Sequence, residues 1–144
     1  MAQQWIRPAV VAAFVVAVIG LAAGTAATAQ DKKDDKAPTV KQIMAMGHKG
    51  ADALMTKIGK AAKDGKWEVA QKAATGLAEN GAKLGRNVTK KGDAKSWETL
   101  TAKYAEDTKA VADAAEKKDA DATKTALATL GTSCKTCHDA HKGK

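Results

Sequence analysis

The chain has 144 residues, enough for one domain. Aromatic residues make up only 3% of it, while alanine, lysine and threonine dominate, a composition that favours helices over sheets. The formal net charge is +8, but no nucleic-acid-binding motif accompanies it, so a nucleic-acid partner is not expected.

In chain order, residues 1–29 read as a cleaved export signal. Arg7 supplies a positive start. An apolar run follows, with Val10, Val11, Phe14, Val15, Val16, Val18, Ile19 and Leu21. Ala27-Thr28-Ala29 then forms an A-x-A cleavage site. The run is short for a membrane span. The mature chain is expected to begin at Gln30 in a periplasmic compartment. Arg7 is the only charged residue before that point, so cleavage leaves nearly all of the positive charge in place. Residues 30–38, QDKKDDKAP, carry no apolar side chain beyond alanine and read as a flexible charged leader.

Residues 39–144 form the expected domain, with four helices. Thr39 is a suitable N-cap for the first, which spans about 39–63. Val40, Ile43, Gly47, Ala51, Leu54 and Ile58 recur at spacings of three and four, and Met44, His48 and Met55 widen that face. Asp64-Gly65 breaks the pattern. The second helix, about 66–88, carries a stripe of Trp67, Ala70, Ala74, Leu77, Gly81, Leu84 and Val88. Gly76, Gly81 and Gly85 lower its intrinsic stability and point to close helix packing. After the polar connection 89–93, the third helix, about 94–118, aligns Trp97, Leu100 or Thr101, Tyr104, Thr108, Val111 and Ala115. The fourth, about 120–142, aligns Thr123, Leu127, Leu130, Cys134, Cys137 and His138. The expected fold is all-α, an antiparallel up-down-up-down four-helix bundle. Trp67, Trp97 and Tyr104 fall on core stripes and are expected to pack there.

The residues that carry chemistry are Cys134-Lys135-Thr136-Cys137-His138, a C-x-x-C-H motif. Two thiols three residues apart on one helical turn can reach two carbons on one porphyrin edge. The adjacent imidazole can then turn to the iron. The motif therefore points to one covalent haem c held by Cys134 and Cys137, with His138 as proximal iron ligand. Three other readings exist. A redox C-x-x-C usually accompanies a βαβ pattern, which is absent. A structural zinc site would need further ligands, drawn from His48, His138 and His141. The third is a simple disulfide. Thioether attachment is normally made outside the cytoplasm, in keeping with the export signal.

A haem motif at the C-terminal end of a four-helix pattern resembles the class II c-type cytochromes: the cytochrome c′ group and its low-spin relatives of the cytochrome c556 type. The resemblance covers roughly residues 40–142. It implies that His138 is the proximal ligand and that the first helix faces the distal side of the iron. After the motif the family often has an aromatic and then a basic residue. Here His141 and Lys142 stand there, so the basic residue matches and the aromatic does not. The segment from Val40 to His48 resembles the family's first-helix segment, in which a basic residue and a glutamine precede a methionine. Met44 follows Gln42 by one residue fewer than in the family. Met44 is the first candidate for the distal ligand, followed by Met46 and His48. The fourth reading is no protein ligand at all.

A Met44–His138 pair suits electron transfer, because methionine–histidine ligation raises the iron's potential. An open distal position, as in cytochrome c′, suits small gases such as nitric oxide or carbon monoxide. No catalytic constellation is present, so an enzyme is not expected. The lysines are spread among acids and read first as a solvated surface, and second as a docking surface for an acidic redox partner. The resemblance also leaves open a homodimer through the first two helices.

Overall fold

The computed structural model describes residues 37–142, and every regular element in that span is helical. The export-signal reading of residues 1–29 and most of the 30–38 leader lie outside the described residues. Five helices follow one another: α1 (Val40–His48), α2 (Leu54–Lys63), α3 (Trp67–Leu84), α4 (Ala94–Glu116) and α5 (Ala120–His141). No helix among the described residues is long and apolar enough to cross a membrane.

The expected first helix is two helices. The three-and-four pattern of small residues runs on through Gly47, Ala51 and Leu54, but the backbone does not follow it. Lys49 turns extended, and Gly50 takes φ 85°, a left-handed conformation that favours glycine. Ala53 N–H closes the turn onto Gly50 C=O at 3.2 Å, and Thr56 Oγ1 donates to the same carbonyl. The break changes register, so Ala51 is exposed and Ala53 is buried.

Side chains cap the N-termini of α1, α4 and α5, whereas α2 and α3 start at Ala53 and Lys66 without one. Thr39 forms a capping box with Gln42, whose Oε1 accepts from Thr39 N–H at 2.9 Å. Asp93 caps α4 through Ser96 N–H at 2.8 Å, and Asp119 caps α5 through Ala122 N–H at 2.9 Å. The expected second helix stops four residues early, at Leu84. Asn87 ends it: its Nδ2 donates to the carbonyls of Lys83 and Leu84 and also to Pro38. Val88, expected on the apolar stripe, lies beyond this stop and is 90% exposed.

Neighbouring helices pack in a closed circuit, α2 on α3, α3 on α4, α4 on α5 and α5 back on α2, while α1 lies against α2 and α3. Ile43, Ile58, Leu77, Leu84, Val111 and Leu130 are the large, fully buried aliphatic side chains at the centre. Each contributes about 1.5–3 kcal/mol by leaving water. Trp97 and Tyr104 join this core, whereas Trp67 packs in a smaller cluster with Ala61, Ala62 and Ala70. Gly81 and Gly85 face Thr108 and Thr101 of α4, the close packing expected of them; Gly76 meets only Leu54.

Candidate functional site

The buried face of α5 ends at Leu130. One turn further on, the wall of a cavity replaces the core. Cys134 and Cys137 are half-buried, and His138 is exposed. The motif therefore faces an open cleft, not the tightly packed interior that its stripe suggests.

The cavity has a volume of about 1320 Å³. That exceeds the roughly 300–1,000 Å³ of most small-ligand sites. Its walls come from distant parts of the chain. α1 contributes Val40, Met44 and His48, and the end of α3 contributes Leu84. α4 supplies Trp97, Leu100 and Tyr104, and α5 supplies Cys134, Cys137 and His138. Met44, half-buried, also packs on the core. Met46 is 44% exposed and lies outside the cavity wall. Thus Met44 and His48 share a cavity with the motif, and Met46 does not.

His48 is held at both ring nitrogens. Nδ1 lies 2.8 Å from Met55 Sδ and Nε2 lies 2.7 Å from the Tyr104 hydroxyl. A thioether sulfur can only accept, so Nδ1 carries the hydrogen and Nε2 accepts from Tyr104. The two rings meet edge-on, with centroids 5.8 Å apart. Burial, and then the nearby charge of His138, hold His48 below its ordinary pKa. Burial, and then the neighbouring cysteine thiols, hold the Tyr104 phenol well above its own. The pair is thus neutral imidazole and neutral phenol.

Cys134 and Cys137 form no disulfide. Burial pushes both thiols up, and Cys134 adds to the effect on Cys137. Cys137 also sits about one turn from the C-terminal end of α5, where the helix dipole disfavours a thiolate. This is the reverse of the setting that activates a redox C-x-x-C. Among the described residues no group of three or more His, Cys, Asp or Glu side chains could hold a metal ion, which counts against the zinc reading. Two unpaired thiols, one imidazole and broad apolar walls without a carboxylate are a donor set that fits a large flat macrocycle carrying its own iron.

His141 stands where the resemblance expects an aromatic residue, and it performs aromatic packing. Its ring meets Trp97 edge-on at 5.2 Å, its Nδ1 lies 2.8 Å from the Lys91 carbonyl and its Nε2 lies 3.2 Å from Ser96 Oγ. Trp97 in turn donates from Nε1 to the Asn87 carbonyl at 2.7 Å. These contacts fasten the end of α5 to the α3–α4 connection. Gly92, at φ 85°, passes so close that a Cβ there would collide with the His141 ring and the Ala140 carbonyl. Replacing His141 by alanine is expected to lower stability by about 1 kcal/mol, measurable by urea denaturation.

Sequence reasoning read Tyr104 as packing against haem or neighbouring helices, with electron movement as the second reading, and did not single out Leu84 or Leu100 as site residues. Their place on the wall depends on how α3 and α4 pack, and no motif marks it. Searches of curated proteins and of solved structures return no match to the chain. A family model described as Cytochrome C′ does match, over residues 92–142. That span holds α4, α5 and the whole Cys134–His138 motif, and over it the match supports an assignment to the class II c-type cytochromes.

Proposed function

We propose that the chain is an exported c-type cytochrome, an antiparallel four-helix bundle that carries single electrons. When bound, one covalent haem c supplies an iron that cycles between the ferric and ferrous states. Cys134 and Cys137 would hold it by thioether bonds, His138 would be the proximal ligand and Met44 the distal one. The family match over residues 92–142 supports the haem. The observation that carries the finer reading is that Met44 on α1 and His138 on α5 line one cavity with apolar walls.

His48 supports the choice of Met44 by being engaged elsewhere. To ligate, it would have to give up the hydrogen bond from Tyr104 or that to Met55. Met46 points away into solvent. Val40, Leu84, Trp97 and Leu100 limit water on the site's inner side, and a dry surround disfavours net charge on the oxidised centre. Both effects favour a raised potential.

The test is an absorption spectrum of the export-matured protein, with and without Met44→Ala. The expected result is a low-spin spectrum with a methionine-to-iron band in the wild type, lost in the variant. A high-spin ferrous spectrum in the wild type would instead identify a five-coordinate gas-binding protein. A low-spin spectrum unchanged by Met44→Ala would shift the ligand to His48 or Met46. Absence of a Soret band would remove the haem reading altogether.

A further inference from the structure

The mouth of the cavity carries charge of one sign only. Lys41 on α1, Lys49 just past it, Lys103 on α4 and Lys142 at the end of α5 line it, and no aspartate or glutamate does. These lysines come from separate parts of the chain, so the clustering is a product of the fold. Sequence alone shows lysines and acids interleaved throughout. Among the described residues Lys41, Lys49 and Lys142 make no ion pair. Lys103 does pair with Asp107, at 2.7 Å, but that carboxylate side chain is only 7% exposed while the ammonium is 55% exposed. The face shown to solvent there is the cation. Lys91 Nζ reaches the Lys142 carbonyl at 3.5 Å and brings a fifth ammonium to the same edge.

Between these cations α5 presents Thr129, Thr132 and Thr136, all exposed, uncharged and short. We propose that this lysine-rimmed mouth is the docking surface for an acidic redox-partner protein. The proposal rests on the electron-carrier reading above and adds where the partner sits and what it is made of.

Charge complementarity selects the occupant. A second copy of this chain would bring the same cations to the same face, against a net charge of +8 on each chain, and would be repelled. A lipid surface would gain from an apolar side chain to insert, but the large exposed hydrophobic residues among those described are Met46, Val69 and Val88, and none lines the mouth. A carboxylate-rich protein surface fits both the charge and the neutral centre. Rim charges of this kind act mainly on the rate of encounter and are screened over a Debye length of about 10 Å at 0.1 M salt.

The experiment uses the mature holoprotein and reduced flavodoxin as an acidic redox probe, with electron transfer followed by stopped flow. Lys41→Glu/Lys142→Glu alters the rim. Lys117→Glu/Lys124→Glu makes the same charge change near the α4–α5 turn, at the opposite end of α5. The rim variant is expected to slow the reaction about tenfold at low ionic strength, with the difference fading at high salt. The remote variant should change it less than about twofold. Equal slowing in the two variants, or a wild-type rate indifferent to salt, overturns the docking surface. So does sedimentation with phosphatidylserine vesicles that depends on Lys41 and Lys142, which would assign the rim to lipid. Reduction by dithionite separates the two levels. If dithionite reduces the protein normally while flavodoxin ignores the rim, only the docking surface falls. If neither reduces it, the electron-carrier reading falls and the docking surface with it.

Discussion

A chain with serine at both 134 and 137 is expected to keep no haem after denaturation, whereas the wild type keeps all of it. Serine is close to cysteine in size and shape but cannot form a thioether. The two thiols are unpaired, half-buried and one helical turn apart on α5. Cys134 Sγ donates to the Leu130 carbonyl at 3.4 Å, a bond that a serine hydroxyl can replace. Helix content by far-UV circular dichroism should therefore change little, and loss of attachment can be told from loss of folding. Each single variant should retain the haem by its remaining bond. The check is haem staining of a denaturing gel, with mass spectrometry of the intact chain. Full retention in the double variant would show that the cysteines hold nothing covalently and would leave His138 as the sole anchor on α5.

That expectation was available from five consecutive residues, because the chemistry of C-x-x-C-H is local. Two thiols and an imidazole within one turn and a half of helix stay together however the rest of the chain packs. The first helix was less legible. Gly47, Gly50 and Ala51 are small, and small residues satisfy an apolar stripe as readily as they permit a turn. The pattern therefore ran unbroken across 49–53, where the backbone breaks, and it put Ala51 rather than Ala53 inside. Val88 misled in the same way: its spacing fits the stripe, but Asn87 has already capped the helix with its side chain.

The opposite wall of the site was legible only in part. Met44, not Met46, shares a face with Val40, Ile43 and Gly47, and it is Met44 that lines the cavity. The bond from Tyr104 to His48 joins residues 56 positions apart, and no local pattern encodes it. His141 looked like a departure from an aromatic position, since residue type says little about stacking. Its edge-on contact with Trp97 shows an imidazole serving as that aromatic. The lysine rim was hidden for a related reason: even spacing along the chain becomes a cluster only after α1, α4 and α5 converge.

Gly76→Ala and Gly81→Ala are expected to shift stability in opposite directions, although both lie in α3 and are equal by helix propensity. Alanine gains about 1 kcal/mol over glycine inside a helix. At position 76 nothing opposes that gain, since the new Cβ would meet only Leu54 Cδ1, at 3.9 Å. At position 81 the new Cβ would fall inside the contact radius of Thr108 Oγ1, with Thr108 Cβ and Cγ2 at 3.1 and 3.2 Å. Thr108 has no room to yield. It is fully buried, and its hydroxyl is bonded to the carbonyls of Tyr104 at 3.0 Å and Ala105 at 2.9 Å. The helices must part, and overpacking of this kind costs about 1–3 kcal/mol, occasionally more. The propensity gain is common to both, so the two variants should differ by the overpacking cost itself, about 2 kcal/mol in urea denaturation. Adding Thr108→Ala to Gly81→Ala should recover part of the loss, because it removes the hydroxyl and the methyl that stand in the way. A coupling energy near zero in that double-mutant cycle would show that α3 and α4 do not meet at Gly81. Displacement of α4 would also carry Tyr104 away from His48, so a Gly81→Ala chain that still folds should show an altered haem spectrum, which Gly76→Ala should not.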